Sequence, residues 1–296
     1  LYGSTRSQSS GWVSSVPMAA SFLEAAAARA ADLMSGCTHT VENKAPLIQC
    51  LMLTRWPERS EMIQHAIFSF LCQDYPHRVL TVVNDGEPCE LTEKFFVAAG
   101  SASGHCVVQA PAGSTIGEKR NLGVKAFRQA AYVASFDDDD FSLPGRLGAH
   151  LGAIGDAVWL SSSRKFISLA TLDNIIGFEV GRCYGAGMIS TRVTDELSWP
   201  HLSWCEDHRL FEAVKAHPTF GALTAEDDAL MYVHRRHDSN ASVAHRESLW
   251  QGVLPLQLAG LEAITAPGTV RKLLAQSQGP YLDGANRASG AQGTLA

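Results

Sequence analysis

No stretch of this 296-residue sequence approaches the ~20 consecutive apolar residues that a membrane helix needs. The Ala-rich segment from Met18 to Met34 is interrupted by Glu24, Arg29 and Asp32. Its apolar members are mostly Ala, too weak for a signal-peptide core, so it is expected to form a short accessory helix. The chain begins at Leu1 rather than Met, which leaves open an upstream portion carrying a targeting signal. An excess of positive charge is also missing: 24 Lys and Arg stand against 30 Asp and Glu, a formal net charge of −6. Any polyanion the protein binds must therefore meet a local basic cluster rather than a global field. Seven cysteines are scattered at 37, 50, 72, 89, 106, 183 and 205 without a CxxC pair. That usage argues against a disulfide framework or a zinc site and fits reduced thiols in a cytoplasmic protein, free or peripheral to a membrane. No fixed-period repeat and no heptad is present. What remains is an ordinary globular composition, 46% apolar and 18% charged.

Short apolar runs mark the elements. Leu47–Leu53, Leu80–Val83, Cys106–Gln109 and Tyr132–Phe136 read as buried strands. Between them, Met62, Ile63, Ala66, Ile67, Phe70 and Leu71 repeat at helical spacing, with Ser60 placed to N-cap. Glu90 to Ala99 and Gly117 to Ala130 also read as helical. Such alternation predicts βαβ units and a parallel, doubly wound sheet. Ligands in these sheets bind beyond the carboxyl ends of the strands. The second half is less regular: Trp159-Leu160, Phe166–Leu169 and Met231–His234 read as strands, Asp207 to Lys215 and Val270 to Gln276 as helices. The expected organisation is a flexible, Ala-rich extension over residues 1–45, one α/β domain over 46–277 and a loose tail over 278–296. Within the domain, 46–150 forms the nucleotide half, 151–245 the acceptor and catalytic half, and 246–277 a helical region.

Four aspartates, Asp137-Asp138-Asp139-Asp140, follow the strand at Tyr132 directly. Adjacent carboxylates repel one another, so a strand end rarely carries four without a cation or many donors. Residues two apart on extended backbone point the same way, which lets Asp137 and Asp139 share one Mg²⁺ or Mn²⁺ and leaves positions for water and phosphate. A solvated acidic turn is the rival reading; an EF-hand loop fits less well still, because its oxygen ligand and glycine would fall on Phe141 and Ser142.

Several segments together resemble the family 2 glycosyltransferases, inverting enzymes of the GT-A fold. Ser69-Phe70-Leu71-Cys72-Gln73-Asp74-Tyr75-Pro76 is similar to that family's S-x-L-x-Q-x-Y-P. Val82-Val83-Asn84-Asp85-Gly86 resembles V-V-D-D-G, and Gly117-Glu118-Lys119-Arg120-Asn121 resembles its A-R-N element. Phe136 to Asp140, with Pro144 and Arg146-Leu147, is similar to L-D-x-D-D…P…L. The match runs from Leu47 to His150, more thinly to Asn240. It implies a GT-A fold, a Rossmann-like, mostly parallel sheet flanked by helices with an irregular acceptor-binding half, and a donor that is a nucleotide sugar, by resemblance UDP-linked.

The resemblance also implies roles. Thr54 and Asp85 would contact the nucleotide, although Arg55-Trp56 departs from the family's Tyr-Asn after Thr54, and Asp85 could instead serve an Asx turn. Arg120 would pair with phosphate or with the aspartates, whereas Lys119 beside it reads as a solvated surface charge. Trp204-Cys205-Glu206-Asp207 is similar to the family's E-D element, which makes Asp207 the base with Glu206 supporting; N-capping of the helix is the rival explanation. Gly185-Ala186-Gly187-Met188 falls where the family has a small-residue acceptor loop, or is a plain turn. In His234-Arg235-Arg236-His237-Asp238-Ser239-Asn240, similar to R-x-x-H-x-N, His237 would complete the metal shell or touch the diphosphate. Arg235 or Arg236 would neutralise phosphate charge. Together these imply a metal-dependent inverting glycosyltransferase; a non-catalytic nucleotide-sugar-binding module is the alternative. A sugar nucleotidyltransferase would need a Gly-rich loop where Thr54 to Arg59 has no glycine. The acceptor is unspecified: a saccharide, lipid-linked sugar, protein, metabolite or modified nucleic-acid base.

Overall fold

The computed structural model describes residues 45–88, 104–169, 175–227, 231–237 and 240. The expected helices at 18–34, 90–99 and 270–276, and the extension and tail, lie outside the described residues.

The chain runs β1 (Ile48–Thr54), α1 (Ser60–Leu71), β2 (Arg78–Asn84), β3 (Cys106–Gln109), α2 (Ile116–Ala126) and β4 (Tyr132–Ser135). It continues through β5 (Phe141–Ser142), α3 (Arg146–Ile154), β6 (Trp159–Leu169), β7 (Ile175–Ser190), α4 (Thr191–Glu196), α5 (Glu206–Ala216), β8 (Thr224–Asp227) and β9 (Tyr232–Arg236). One sheet orders these strands β3-β2-β1-β4-β7-β6-β9-β5, with β8 also paired to β6. The fold is α/β with a mixed sheet. Strands β3, β2, β1 and β4 are parallel, as the βαβ spacing predicts. Beyond β4 the parallel expectation fails, since β7 runs antiparallel to both β4 and β6. Parallel pairing returns between β6 and β8 and between β6 and β9.

Every residue of β1 is buried, because helices cover both faces. Ile48, Cys50 and Met52 face α1 and α3, packing with Ile63, Ile67, Phe70 and Leu147. Their alternates Leu51 and Leu53 pack with Val83, Val133 and the α2 residues Ile116 and Leu122. The one polar residue on that second face, Gln49, donates to Thr81 Oγ1 at 2.8 Å and to the Gly123 carbonyl at 2.9 Å. A third cluster joins Trp159, Ile189, Trp199, Leu210 and Phe211 under α5.

Local corrections concern caps and ends. Arg59, not Ser60, stands at the N-cap of α1, without a side-chain cap bond. Thr115 caps α2 through a reciprocal capping box with Glu118, and the helix stops at Ala126 rather than Ala130, where Phe127 leaves helical dihedrals. The predicted strands at Trp159 and Phe166 are one strand, and Gly185 to Met188 is neither loop nor turn but part of β7. No helix among the described residues is long and apolar enough to cross a membrane.

His105 fastens β3 to this frame: its Nδ1 accepts from the Leu80 amide at 3.0 Å and its ring meets the edge of Phe70. Burial, with Arg78 adding, lowers its pKa to about 4. The folded protein thus keeps this imidazole neutral where the unfolded chain protonates it. The stability involved is complete above about pH 6.5 and is lost as pH falls towards 4. Chemical denaturation should show a loss on the order of 2 kcal/mol from this site between pH 7 and 4. His105→Asn should remove that share of the pH dependence while lowering stability at pH 7.

Candidate active site

The parallel strands β2, β1 and β4 end on one rim, and the segments leaving them carry Asp85, Thr54 to Arg59 and the four aspartates. A cavity of about 890 Å³ opens there, walled also by the first turns of α2 and α5, by Cys183 to Gly185 of β7 and by Tyr232 and His234 of β9.

The aspartates do not continue the extended strand. Asp138 and Asp139 form a turn in which the Asp140 amide donates to the Asp137 carbonyl. The extended backbone on which Asp137 and Asp139 would point the same way is thus interrupted, and the side chains meet in two pairs, Asp137 with Asp140 at the Tyr232 hydroxyl and Asp138 with Asp139 at Arg59. Asp137, with 30% of its side chain exposed, lies 3.8 Å from Arg120 Nη2 and accepts from the Tyr232 hydroxyl at 3.3 Å. Arg59 Nη1 donates to Asp138 Oδ1 at 2.9 Å and to Asp139 Oδ2 at 2.7 Å. The same Asp139 oxygen takes Asn240 Nδ2 at 3.0 Å and lies 3.2 Å from His237 Nε2. Asp140 is the structural member: Tyr232, His234 and the Arg235 amide all bind it.

Charge is shared unequally across this turn. Burial first, then the neighbouring carboxylates, push Asp137 well up against the opposing pull of Arg120. Burial and Asp139 push Asp138 up to about 7. Burial acts the same way on Asp139, but the hydrogen bond from His237 and the Arg59 guanidinium outweigh it and hold this carboxyl below the usual range. The cluster holds one firmly ionised carboxylate and two that gain from any added cation.

Among the described residues no three His, Cys, Asp or Glu side chains converge as a ready-made metal cage. Of the expected donors, Asp137 and Asp139 line the cavity, and the imidazole of His237 lies 3.2 Å from Asp139 Oδ2. Two such ligands leave the remaining positions to phosphate and water, as Mg²⁺ sites commonly do.

Opposite the aspartates, Arg120 is the hub. It is buried at the start of α2, with Nη2 3.0 Å from Asp207 Oδ2, Nε 3.3 Å from Glu206 Oε1 and Nη1 3.3 Å from Ser135 Oγ. Its motif neighbours explain the spacing. A Cβ on Gly117 would lie 1.8 Å from the Pro200 carbonyl oxygen, so only glycine lets segment 199–202 lie against α2. Asn121 exchanges hydrogen bonds with the Trp199 backbone at 2.8 and 3.0 Å. Trp199 in turn donates from Nε1 to Asp207 Oδ1 at 2.8 Å.

Asp207 is held from both sides and lies in the first turn of α5, where the helix dipole favours a carboxylate. It is not the cap: Cys205 takes that position, in left-handed backbone at φ 60°. Burial, with the Asp207 charge adding, raises the Glu206 carboxyl against Arg120. Gly185 sits between the two carboxylate groups, its missing Cβ 3.4 Å from Asp137 Oδ2 and 3.8 Å from Asp207 Oδ2. The small-residue expectation there holds for space, although its setting is a strand.

Three expected placements change. Asp85 has no side-chain exposure and lies beneath Arg55 and Lys119, which bind its two oxygens at 3.0 and 3.1 Å. Lys119 is no surface charge but 8% exposed. Arg236 is fully buried on β9 and paired with Glu179 at 2.8 Å, away from the cavity wall; Arg235 is buried too, 3.2 Å from His65. Thr54 is buried at the end of β1 and lines the cavity. Reasoning from sequence alone missed Arg59, Trp199 and Tyr232. Arg59 had one available sign, its place in the loop leaving β1 at the binding rim.

No family model matches the chain, and no curated protein matches it by sequence. Similar solved structures include S. aureus TarS 1–349 in complex with UDP-GlcNAc, 16% identical, covering 83% of this chain and 76% of that one at a TM-score of 0.48. Another is S. aureus TarS, 15% identical over 64% of this chain and 37% of that one, TM-score 0.48. A third is the mannosyltransferase PcManGT from Pyrobaculum calidifontis in complex with GDP-Man and Mn²⁺, 14% identical over 94% and 88%, TM-score 0.45. The chain thus spans little more than a third of the TarS chain.

Proposed function

We propose that this protein is a metal-dependent glycosyltransferase that moves a sugar from a nucleoside diphosphate to an acceptor hydroxyl with inversion. One observation carries the reading: a cavity at the strand ends brings the acidic turn to a carboxylate clamped by Arg120 and Trp199, with Gly185 and Arg120 between Asp137 and Asp207.

Breaking a sugar–phosphate bond puts negative charge on the departing diphosphate. A divalent ion held by Asp139 and His237 supplies positive charge there when bound. Arg120, oriented by Glu206 and Asp207, faces that charge from across the cavity with a fixed guanidinium. The acceptor hydroxyl gives its proton to Asp207 as it attacks the anomeric carbon from the face opposite the diphosphate. One displacement of this kind inverts the configuration. Trp204, 51% exposed at the mouth, and Tyr184 and His208 beside it form an aromatic wall on the acceptor side.

A panel of nucleotide sugars, scored for nucleotide release with and without Mn²⁺, tests this. Release should require the metal, and Asp139→Asn should abolish the metal-dependent part. Equal release by variant and wild type would refute the metal assignment. Tight donor binding without turnover for any acceptor class would make the protein a binding module instead.

A further inference from the structure

The far end of the cavity departs from what the resemblance implies. There Asp85 would meet a uracil, but its side chain has no exposure and both its oxygens are engaged, by Arg55 and by Lys119. The group facing the cavity is Arg55, 46% exposed and held through one bond from Nη2 to Asp85. Most of the five N–H groups of its planar fork remain for a ligand. Lys119, largely buried, binds the other Asp85 oxygen, which fixes Asp85 as a support and leaves the trio with a net positive charge.

This end also lies at the right distance from the diphosphate site. Asp85 follows β2 and the aspartate turn follows β4, with β1 between them. Two strand spacings separate the two ends by roughly 10 Å. The wall nearest Asp85 is thus where a donor's base would lie when its diphosphate faces Asp139 and His237.

A base meeting the Arg55 fork meets two donors side by side, with Glu58 the nearby acid that also lines the cavity. Guanine presents O6 and N7 as neighbouring acceptors, the edge that takes both arms of a guanidinium. Uracil sets an N–H between its two carbonyl oxygens, so it has no pair of neighbouring acceptors for the fork, and both oxygens of Asp85 are already engaged. Adenine sets an amino group beside its N7 and opposes the fork. We propose that Arg55, buttressed by Asp85 and Lys119, reads the donor's base and selects guanine over uracil.

The assignment rests on the nucleoside-diphosphate reading of the cavity, and the test separates the two. Binding of GDP, UDP, CDP and ADP is measured by calorimetry with Mn²⁺ present, for wild type, Arg55→Lys and Arg55→Gln. GDP should bind wild type roughly 5- to 150-fold more tightly than UDP, the range of one bidentate base contact. Both variants should bring GDP down to the level of UDP and leave UDP nearly unchanged. Arg55→Lys is the telling variant, since it keeps the charge and removes the fork. UDP binding as tightly as GDP, or CDP more tightly, overturns the guanine assignment. So does an equal loss for every diphosphate in Arg55→Lys, which would place Arg55 on phosphate. Should no diphosphate bind at all, the donor-site reading itself fails.

Discussion

Asp207→Asn should lower sugar transfer by about 10²- to 10⁴-fold, the usual contribution of a positioned general base, with nucleotide affinity little changed. The geometry separates the two effects. Asp207 lines the cavity at the start of α5, with Trp199 Nε1 on one oxygen and Arg120 Nη2 on the other. An asparagine oxygen can keep the bond from Trp199, so the backbone and the ring stay in place. What the variant loses is the ability to take a proton, together with one ionic contact to Arg120. The donor's phosphates, assigned to the opposite wall at Asp139 and His237, lose nothing directly. Glu206→Gln is the control: Glu206 also meets Arg120, at 3.3 Å, but only Asp207 is held from its other side by Trp199 Nε1. Its effect should be much the smaller of the two. Full transfer by Asp207→Asn would put the base elsewhere, and equal losses in the two variants would mean that the pair acts through Arg120 alone.

The sequence was most legible where one kind of interaction decides the outcome. Strand β1 is expected at Leu47–Leu53 and lies at Ile48–Thr54, because a strand covered on both faces reads as a mostly apolar run, here broken only by Gln49 before the polar end at Thr54. The rim position of Asp85 and the aspartates followed from the same strands. Strand β7 was not legible: its segment Gly177 to Gly187 is rich in glycine and charge, and its extended form comes from β6 and β4 beside it. Long cations were read worst. Lys119, Arg59 and Arg236 have the side chains that usually reach water, and only the three-dimensional arrangement shows each turned onto a carboxylate. The turn at Asp138 and Asp139 is of the same kind. Four equal letters suggest a shared metal, whereas the backbone turn pairs Asp138 with Asp139 at Arg59 and Asp137 with Asp140 at Tyr232.

Arg120→Met should cost about 3–5 kcal/mol of folding stability, the range for removing one partner of a buried charge network. Three carboxylates depend on this guanidinium: Asp207 at 3.0 Å, Glu206 at 3.3 Å and Asp137 at 3.8 Å. Without it Glu206 and Asp207 are left as two adjacent, mostly buried acids with no cation between them. Arg120→Lys should restore only part of the loss, since a point charge cannot reach Glu206, Asp207 and Ser135 Oγ from three nitrogens. Denaturant midpoints of the variants measure both effects. Adding Glu206→Gln to Arg120→Met removes one of the stranded charges, so the double variant should be more stable than Arg120→Met alone even though Glu206→Gln weakens the wild type. Simple additivity of the two losses would mean that Arg120 stabilises the fold by packing rather than by neutralising these acids. In that event its place in the motif would have to be explained by the donor alone, and the test is then whether Arg120→Met loses nucleotide affinity at a temperature where it is still folded.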